Sequence, residues 1–175
     1  MKPLETARLR LRELTLDDAP FALRLLNDPA WLQCIGDRGV RTLDAAREYL
    51  ANGPIKMYRE HGFGLWLVEA QAGGVPAGIC GLIKRPLLDD VDLGYAFLPE
   101  FRGRGYASES ATAALAHGRD ALGLRRIVAI CKPANAPSIA LLTRLGFRLE
   151  RTIAFPSAQD ESRLFGWGEP ARTGG

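Results

Sequence analysis

The sequence predicts an α/β fold, a single twisted mixed sheet of about seven strands flanked by about four helices. Three observations predict it. Residues 8–12 (Arg-Leu-Arg-Leu-Arg) and 91–97 (Val-Asp-Leu-Gly-Tyr-Ala-Phe) alternate with the period-two pattern of half-buried strands. Residues 127–131 (Ile-Val-Ala-Ile-Cys) are apolar without alternation, as in a strand covered on both faces. Between these runs, Ala107, Ala111, Ala114, Leu115, Gly118 and Leu122 recur at helical spacing. Strands of both kinds with helices between them require antiparallel and parallel portions in one sheet.

The elements follow in order. After the strand at 8–12, Asp17-Asp18-Ala19-Pro20 opens a helix, because acidic residues and proline suit a first turn. It stops near Asn27-Asp28-Pro29, and residues 30–41 read as a loop. Thr42 is an N-cap for a second helix through Leu43, Ala46, Tyr49 and Leu50. Gly53-Pro54 interrupts it, with a further turn or two toward His61-Gly62. Residues 65–69 and 78–83 form a hairpin around Ala72-Gly73-Gly74. The strand at 91–98 and the helix from Ala107 come next, and Gly123 ends the helix. After the strand at 127–131, Asn135-Ala136-Pro137-Ser138 starts a helix that Gly146 closes. Two short strands near 147–153 and 161–167 complete a single domain over residues 1–167, and 168–175 form a loose tail.

Composition narrows the function. In 175 residues, 47% are hydrophobic and 25% charged, which excludes disorder and fibrous repeats. The net charge of +3 does not call for a nucleic acid, and no stacking aromatics interleave the arginines of residues 8–12. The chain shows no signal-peptide pattern and no apolar run of the ~18 residues that cross a bilayer, so a cytoplasmic protein is expected. Three cysteines, Cys34, Cys80 and Cys131, lie far apart, two of them in apolar runs, as reduced buried thiols do. With two histidines and no CxxC or HExxH, no metal site is expected. G-x-S-x-G and G-x-x-x-x-G-K-[ST] are also absent, which argues against an α/β-hydrolase and a P-loop NTPase.

Arg102-Gly103-Arg104-Gly105-Tyr106-Ala107 is the most informative stretch. It joins a strand to a helix, where glycines admit positive φ and free amides with the helix dipole make an anion site. Arg102 and Arg104 add charge within reach of phosphates. Three readings fit these residues: a tight turn with solvated arginines, a dinucleotide site, and a coenzyme A diphosphate site. The dinucleotide pattern G-x-G-x-x-G fails at Ser108, and the turn follows antiparallel strands.

The hexapeptide resembles the R/Q-x-x-G-x-G/A signature of the GNAT superfamily of acyl-CoA-dependent N-acetyltransferases. Residues 92–100 resemble that family's fourth strand, and 135–147 resemble its N-x-x-[AS]-x-x-L-x-x-[KR]-x-G-F segment. The element order fits from about residue 6 to 167. Within the superfamily the chain is similar to the ribosomal-protein-alanine N-acetyltransferase subgroup, which also holds amine acetyltransferases of other specificity.

The resemblance implies that the fourth strand bulges and parts from the fifth, and that the gap takes the pantetheine arm beside Phe97 and Leu98. A backbone N–H there would stabilise the oxyanion, an effect worth about 3–4 kcal/mol. Gly103, Gly105, Tyr106, Ala107 and Ser108, with Arg102 and Arg104, would hold the diphosphate. Tyr106 is otherwise a packing residue and Ser108 an exposed helix residue. Asn135 would bond the pantetheine or the acceptor, or serve as an N-cap. Many members place a tyrosine at position 142, which is Leu142 here, to protonate the thiolate. Ser138 takes that role by resemblance, or is simply a helix-start serine.

The expected reaction is direct attack of a primary amine on acetyl-CoA through a tetrahedral intermediate, with no covalent enzyme intermediate and no metal. Deprotonating an α-amine at pH 7 costs about 1.4 kcal/mol, whereas a lysine costs about 4.6 kcal/mol. An α-amine can therefore manage with a water relay. Glu109 and Asp92 are carboxylate candidates for a base, and Trp31, Tyr58 and Trp66 are candidates to line the acceptor pocket, with core packing the alternative for each. The leading acceptor is the α-amine of a protein or peptide. The alternatives are a small amine, such as an antibiotic or polyamine, or a non-catalytic acyl-CoA-binding module. Dimers are common in the subgroup, so a homodimer is the implied assembly.

Overall fold

The computed structural model describes residues 1–154 and 161–169. Eight strands form one sheet in the order β1-β2-β3-β4-β5-β6-β8-β7. They are β1 (Leu4–Glu5), β2 (Leu9–Glu13), β3 (Leu65–Ala70), β4 (Val75–Ile83), β5 (Val91–Phe97), β6 (Arg126–Cys131), β7 (Arg148–Ile153) and β8 (Ser162–Gly168). All neighbours are antiparallel except β5 and β6, which are parallel. The helices are α1 (Ala19–Leu26), α2 (Pro29–Cys34), α3 (Leu43–Asn52), α4 (Pro54–His61), α5 (Tyr106–Asp120) and α6 (Ala136–Arg144).

Strand alternation sorts the core into two layers. Trp66, Val68, Cys80 and Leu82 face one cluster with Ala111, Ala114 and Leu115 of α5 and Leu142 of α6. Leu67 and Ile79 face the other, with Leu25 and Leu26 of α1 and Ala46 and Leu50 of α3. β6 is covered on both sides, as its unbroken apolar run predicts. Ile127, Ala129 and Cys131 join the α5 cluster, and Val128 meets Leu88 and Leu164 opposite.

The structure corrects several boundaries. β1 pairs with β2 through only two residues, too few for a periodic signal. Residues 29–34, read as a terminator and loop, form α2. Asp28 accepts from the Ala30 and Trp31 amides and Pro29 takes the first turn, so Asn-Asp-Pro ends one helix and starts another. Pro54 likewise starts α4, whose eight residues to His61 are the further two turns expected there. β4 begins at Val75 and contains Pro76, tolerated because the β3–β4 register shifts between Val68 and Glu69, beside the Glu69–Pro76 pair. Thr42 caps α3 as expected, accepting from the Ala45 amide. β8 runs through Gly168, and Glu169 N still donates to the Arg125 carbonyl. Residues 170–175 of the expected tail lie outside the described residues. Among the described residues, no helix is long and apolar enough to cross a membrane, and no group of three or more His, Cys, Asp or Glu could hold a metal ion.

Candidate active site

The sheet parts at its centre. β5 and β6 pair only at Val91–Ile127 and Asp92–Val128. On its other side β5 stays in continuous register with β4, from Ile83–Asp92 to Gly78–Phe97, so the expected bulge is absent and the strands simply diverge. The Leu98 amide donates to the Ala77 carbonyl at 2.9 Å, which makes Gly78–Phe97 a non-hydrogen-bonded antiparallel pair. The N–H and C=O of Phe97, and by alternation those of Tyr95, therefore point away from β4 and into the parting. Leu98 cannot offer its amide there, because Ala77 takes it. The Phe97 carbonyl accepts from Arg102 Nε at 2.9 Å, while the Phe97 N–H, like that of Tyr95, is directed into the gap.

Asp92 sits at the apex of the parting and is 1% exposed. Its Oδ2 accepts from Arg85 Nε at 2.5 Å, and its buried Oδ1 has no hydrogen-bond partner among the described residues. Burial pushes its carboxyl up to about 6, against the opposing pull of Arg85 and the Ile130 amide. Alternation turns Asp92 to the face opposite Tyr95, which packs with the α5 cluster.

The α6 side supplies the other wall. Asn135 Oδ1 accepts from the Ser138 amide at 3.2 Å, so Asn135 is the N-cap of α6. The Ser138 hydroxyl lies 2.7 Å from the Tyr95 hydroxyl, bridging α6 to β5. Leu142 is 1% exposed in the core and has no proton to give.

The glycine-rich turn leads into the first turn of α5. Gly103 and Gly105 have φ of +71° and +79°, a region only glycine enters freely, and among the described residues no side chain caps the helix. The Tyr106, Ala107 and Ser108 amides, at the first three positions, have no place in the helical ladder and form an anion cradle at the positive end of the helix dipole. This fits a diphosphate.

Sequence reasoning missed what braces the turn. Arg8 of the segment before β2 donates through Nε to Glu109 Oε2 at 2.7 Å and through Nη1 to the Arg104 carbonyl at 2.9 Å. Its guanidinium lies 4.9 Å above the centre of the Tyr106 ring, which stacks on Phe101. Thr6 Oγ1 donates to Glu109 Oε1 at 2.6 Å. Alternation marks Arg8 only as an outward residue, and nothing local tells it from Arg10.

Several candidates stand elsewhere than expected. Arg102 turns from the cradle to pair with Asp28, the cap of α2, while Arg104 lies over Phe101. Burial raises Glu109, but its bonds from Thr6 and Arg8 outweigh that and hold it below the ordinary carboxylate range. It is thus a strut rather than a base. Trp66 is fully buried against His117. Tyr58 donates to the Leu65 carbonyl and accepts from the Leu14 amide, and Trp31 donates to the Gly36 carbonyl at 3.1 Å. All three aromatics belong to the framework.

A parted parallel pair thus lies in the same sheet as the strand that leads into an uncapped, glycine-led helix. The chain matches the Acetyltransferase (GNAT) domain over residues 8–148 and belongs to that family. It is 29% identical over 153 residues to the uncharacterised protein YkkB of Bacillus subtilis, covering 86% of this chain and 87% of that protein. An acetyltransferase from Agrobacterium tumefaciens superposes with a TM-score of 0.81 at 25% identity, over 97% of this chain and 95% of its own. RimL, a ribosomal L7/L12 α-N-protein acetyltransferase solved in complex with coenzyme A, shares the fold with a TM-score of 0.81 at 21% identity, covering 95% and 98% of the two chains. The protein is accordingly an acetyl-CoA-dependent N-acetyltransferase.

Proposed function

We propose that the protein transfers the acetyl group of acetyl-CoA directly to the α-amine of a protein or peptide. The observation that carries this reading is the parting of β5 from β6 after Asp92, with Tyr95 and Phe97 backbone groups on one wall and Ser138 on the other. Acetyl-CoA is a substrate here. The amides of residues 106–108 hold its diphosphate, and Tyr95 and Phe97 pair with the pantetheine as an added strand would. The Phe97 N–H donates to the thioester oxygen and to the oxyanion formed on attack. The nitrogen–carbon bond forms, the carbon–sulfur bond breaks with its electron pair left on sulfur, and Ser138 directs a proton to that sulfur.

Charge favours an α-amine over a polyamine. The carboxylates beside the parting, Asp28, Asp90 and Asp92, are paired with Arg102, Arg126 and Arg85, so little negative charge is left to collect a polycation. RimL's action on a protein N-terminus points the same way.

The test is thermal unfolding with acetyl-CoA, with ATP and NAD as controls, followed by a panel of amines. At 100 times Kd, binding adds about 2.7 kcal/mol, a rise of about 5–10 °C for a domain of this size. A selective rise followed by acetylation of free-amine peptides supports the reading. No rise at millimolar acetyl-CoA overturns it, and acetylation of spermidine but not of peptides replaces the acceptor with a small amine.

A further inference from the structure

We propose that Tyr95 is the positioning residue for thiol release, its phenol donating across the parting to Ser138 Oγ so that the Ser138 proton points at the coenzyme sulfur. This rests on the acetyl-transfer reading and on Ser138 as the group nearest the sulfur.

Four helical hydroxyls make the case by contrast. Those of Ser110, Thr112 and Thr143 each turn back to the carbonyl four residues earlier, at 2.8, 2.8 and 2.9 Å, the usual resting place of a helical Ser or Thr. Ser138 does not. It stands in the first turn of α6, where the carbonyl four residues earlier, that of Ala134, lies outside the helix, and its amide is already committed to Asn135. Its hydroxyl instead meets the Tyr95 hydroxyl at 2.7 Å.

Proton counting gives the bond its direction. A serine hydroxyl has one proton and two lone pairs. If Ser138 donated to Tyr95, nothing would be left for sulfur. If Tyr95 donates, the Ser138 proton is left for a sulfur, either that of Cys131, which bonds the same side chain, or that of the coenzyme. Tyr95 fits the donor role, because burial raises its phenol and keeps it protonated throughout the working range. The phenol also lies a long 3.4 Å from the Ser138 carbonyl, a weaker acceptor position than the hydroxyl at 2.7 Å.

The balance closes without ionising Tyr95. As the carbon–sulfur bond breaks, sulfur takes the Ser138 proton, and Ser138 is reprotonated by the proton that the attacking nitrogen sheds. Tyr95 donates throughout and holds the serine in the one rotamer that allows both transfers. Leu142 supplies no proton in the core, and a phenol from the facing strand fixes the serine that acts in its place.

Initial rates of thiol release should be measured with acetyl-CoA and the peptide-amine panel for the wild type, Tyr95→Phe, Ser138→Ala and the double variant. Melting temperatures and acetyl-CoA dissociation constants are measured alongside. The expected result is a drop in kcat of about tenfold or more in Tyr95→Phe, with KM and Kd for acetyl-CoA within about twofold of wild type. The double variant is expected to be no slower than Ser138→Ala, because Tyr95 acts only through that serine. A kcat unchanged in Tyr95→Phe, or losses that multiply in the double variant, overturns the assignment. Should Tyr95→Phe melt far below wild type, the solvent isotope effect on wild-type kcat decides: an effect that disappears in Ser138→Ala supports the shuttle, and one unchanged there overturns it. A wild type that binds acetyl-CoA but acetylates no amine instead brings down the acetyl-transfer reading, and this assignment with it.

Discussion

Asp92 shows what a single residue does at the point where a sheet opens. Parallel pairing ends there, and the carboxylate stays buried, with the Ile130 amide of β6 acting on it. One oxygen is held by Arg85, and the other is buried without a partner among the described residues. Burial is the larger influence and lifts the folded-state value to about 6, above the unfolded ~3.9. The sign follows directly. The folded chain holds the proton more tightly, so this group's favourable contribution is complete below about pH 4 and is lost as pH rises through 6. Asp92→Asn should therefore gain stability relative to wild type between pH 4 and 7, by about 2–3 kcal/mol. Urea unfolding of both proteins at pH 4.5 and 7 measures the change, and a pH-independent difference would refute the assignment. The sequence offered Asp92, with Glu109, as a carboxylate candidate for a base, and only the fold shows that it is buried where the strands part.

Among the elements, the turn into α5 was the most legible. Two glycines between a strand and a helix predict positive φ and free amides, and both are present. What supports the turn was not legible. Arg8 and Thr6 reach Glu109 from about a hundred residues away, and no local pattern encodes that meeting. Gly105→Ala should cost about 1–2 kcal/mol, because an L-residue at φ +79° is strained. Its Cβ would also lie 3.2 Å from Arg8 Nη2. Acetyl-CoA affinity should fall with it, since Arg8 holds the Arg104 carbonyl and the start of the cradle. Denaturant unfolding and calorimetric titration test the two halves separately. An unchanged dissociation constant would remove the turn from the binding site. The α2 error has a local origin, since Asp-Pro both stops and starts helices and its neighbours decide which.

In the proposed reaction both substrates meet at one opening in one sheet. Direct transfer needs no enzyme nucleophile, and the two buried thiols are unsuited to act as one. Burial raises Cys80 to about 12 and also raises Cys131. Initial-rate plots against acetyl-CoA and amine should intersect, and incubation with acetyl-CoA alone should leave the intact mass unchanged. Parallel lines with an acetylated cysteine would contradict the direct route.

By itself the sequence determined the α/β class, most strands and helices, and the glycine turn, because each is written in side-chain period, caps and turn residues within about fifteen neighbours. It also placed Asn135 and Ser138 at the start of α6. Only the tertiary structure decided that β5 leaves β6 after Asp92, that the Phe97 amide rather than that of Leu98 faces the gap, that Arg102 pairs with Asp28, and that Tyr95 meets Ser138. Those are contacts between distant segments. They depend on register and on the angle at which strands part, and period and propensity carry neither.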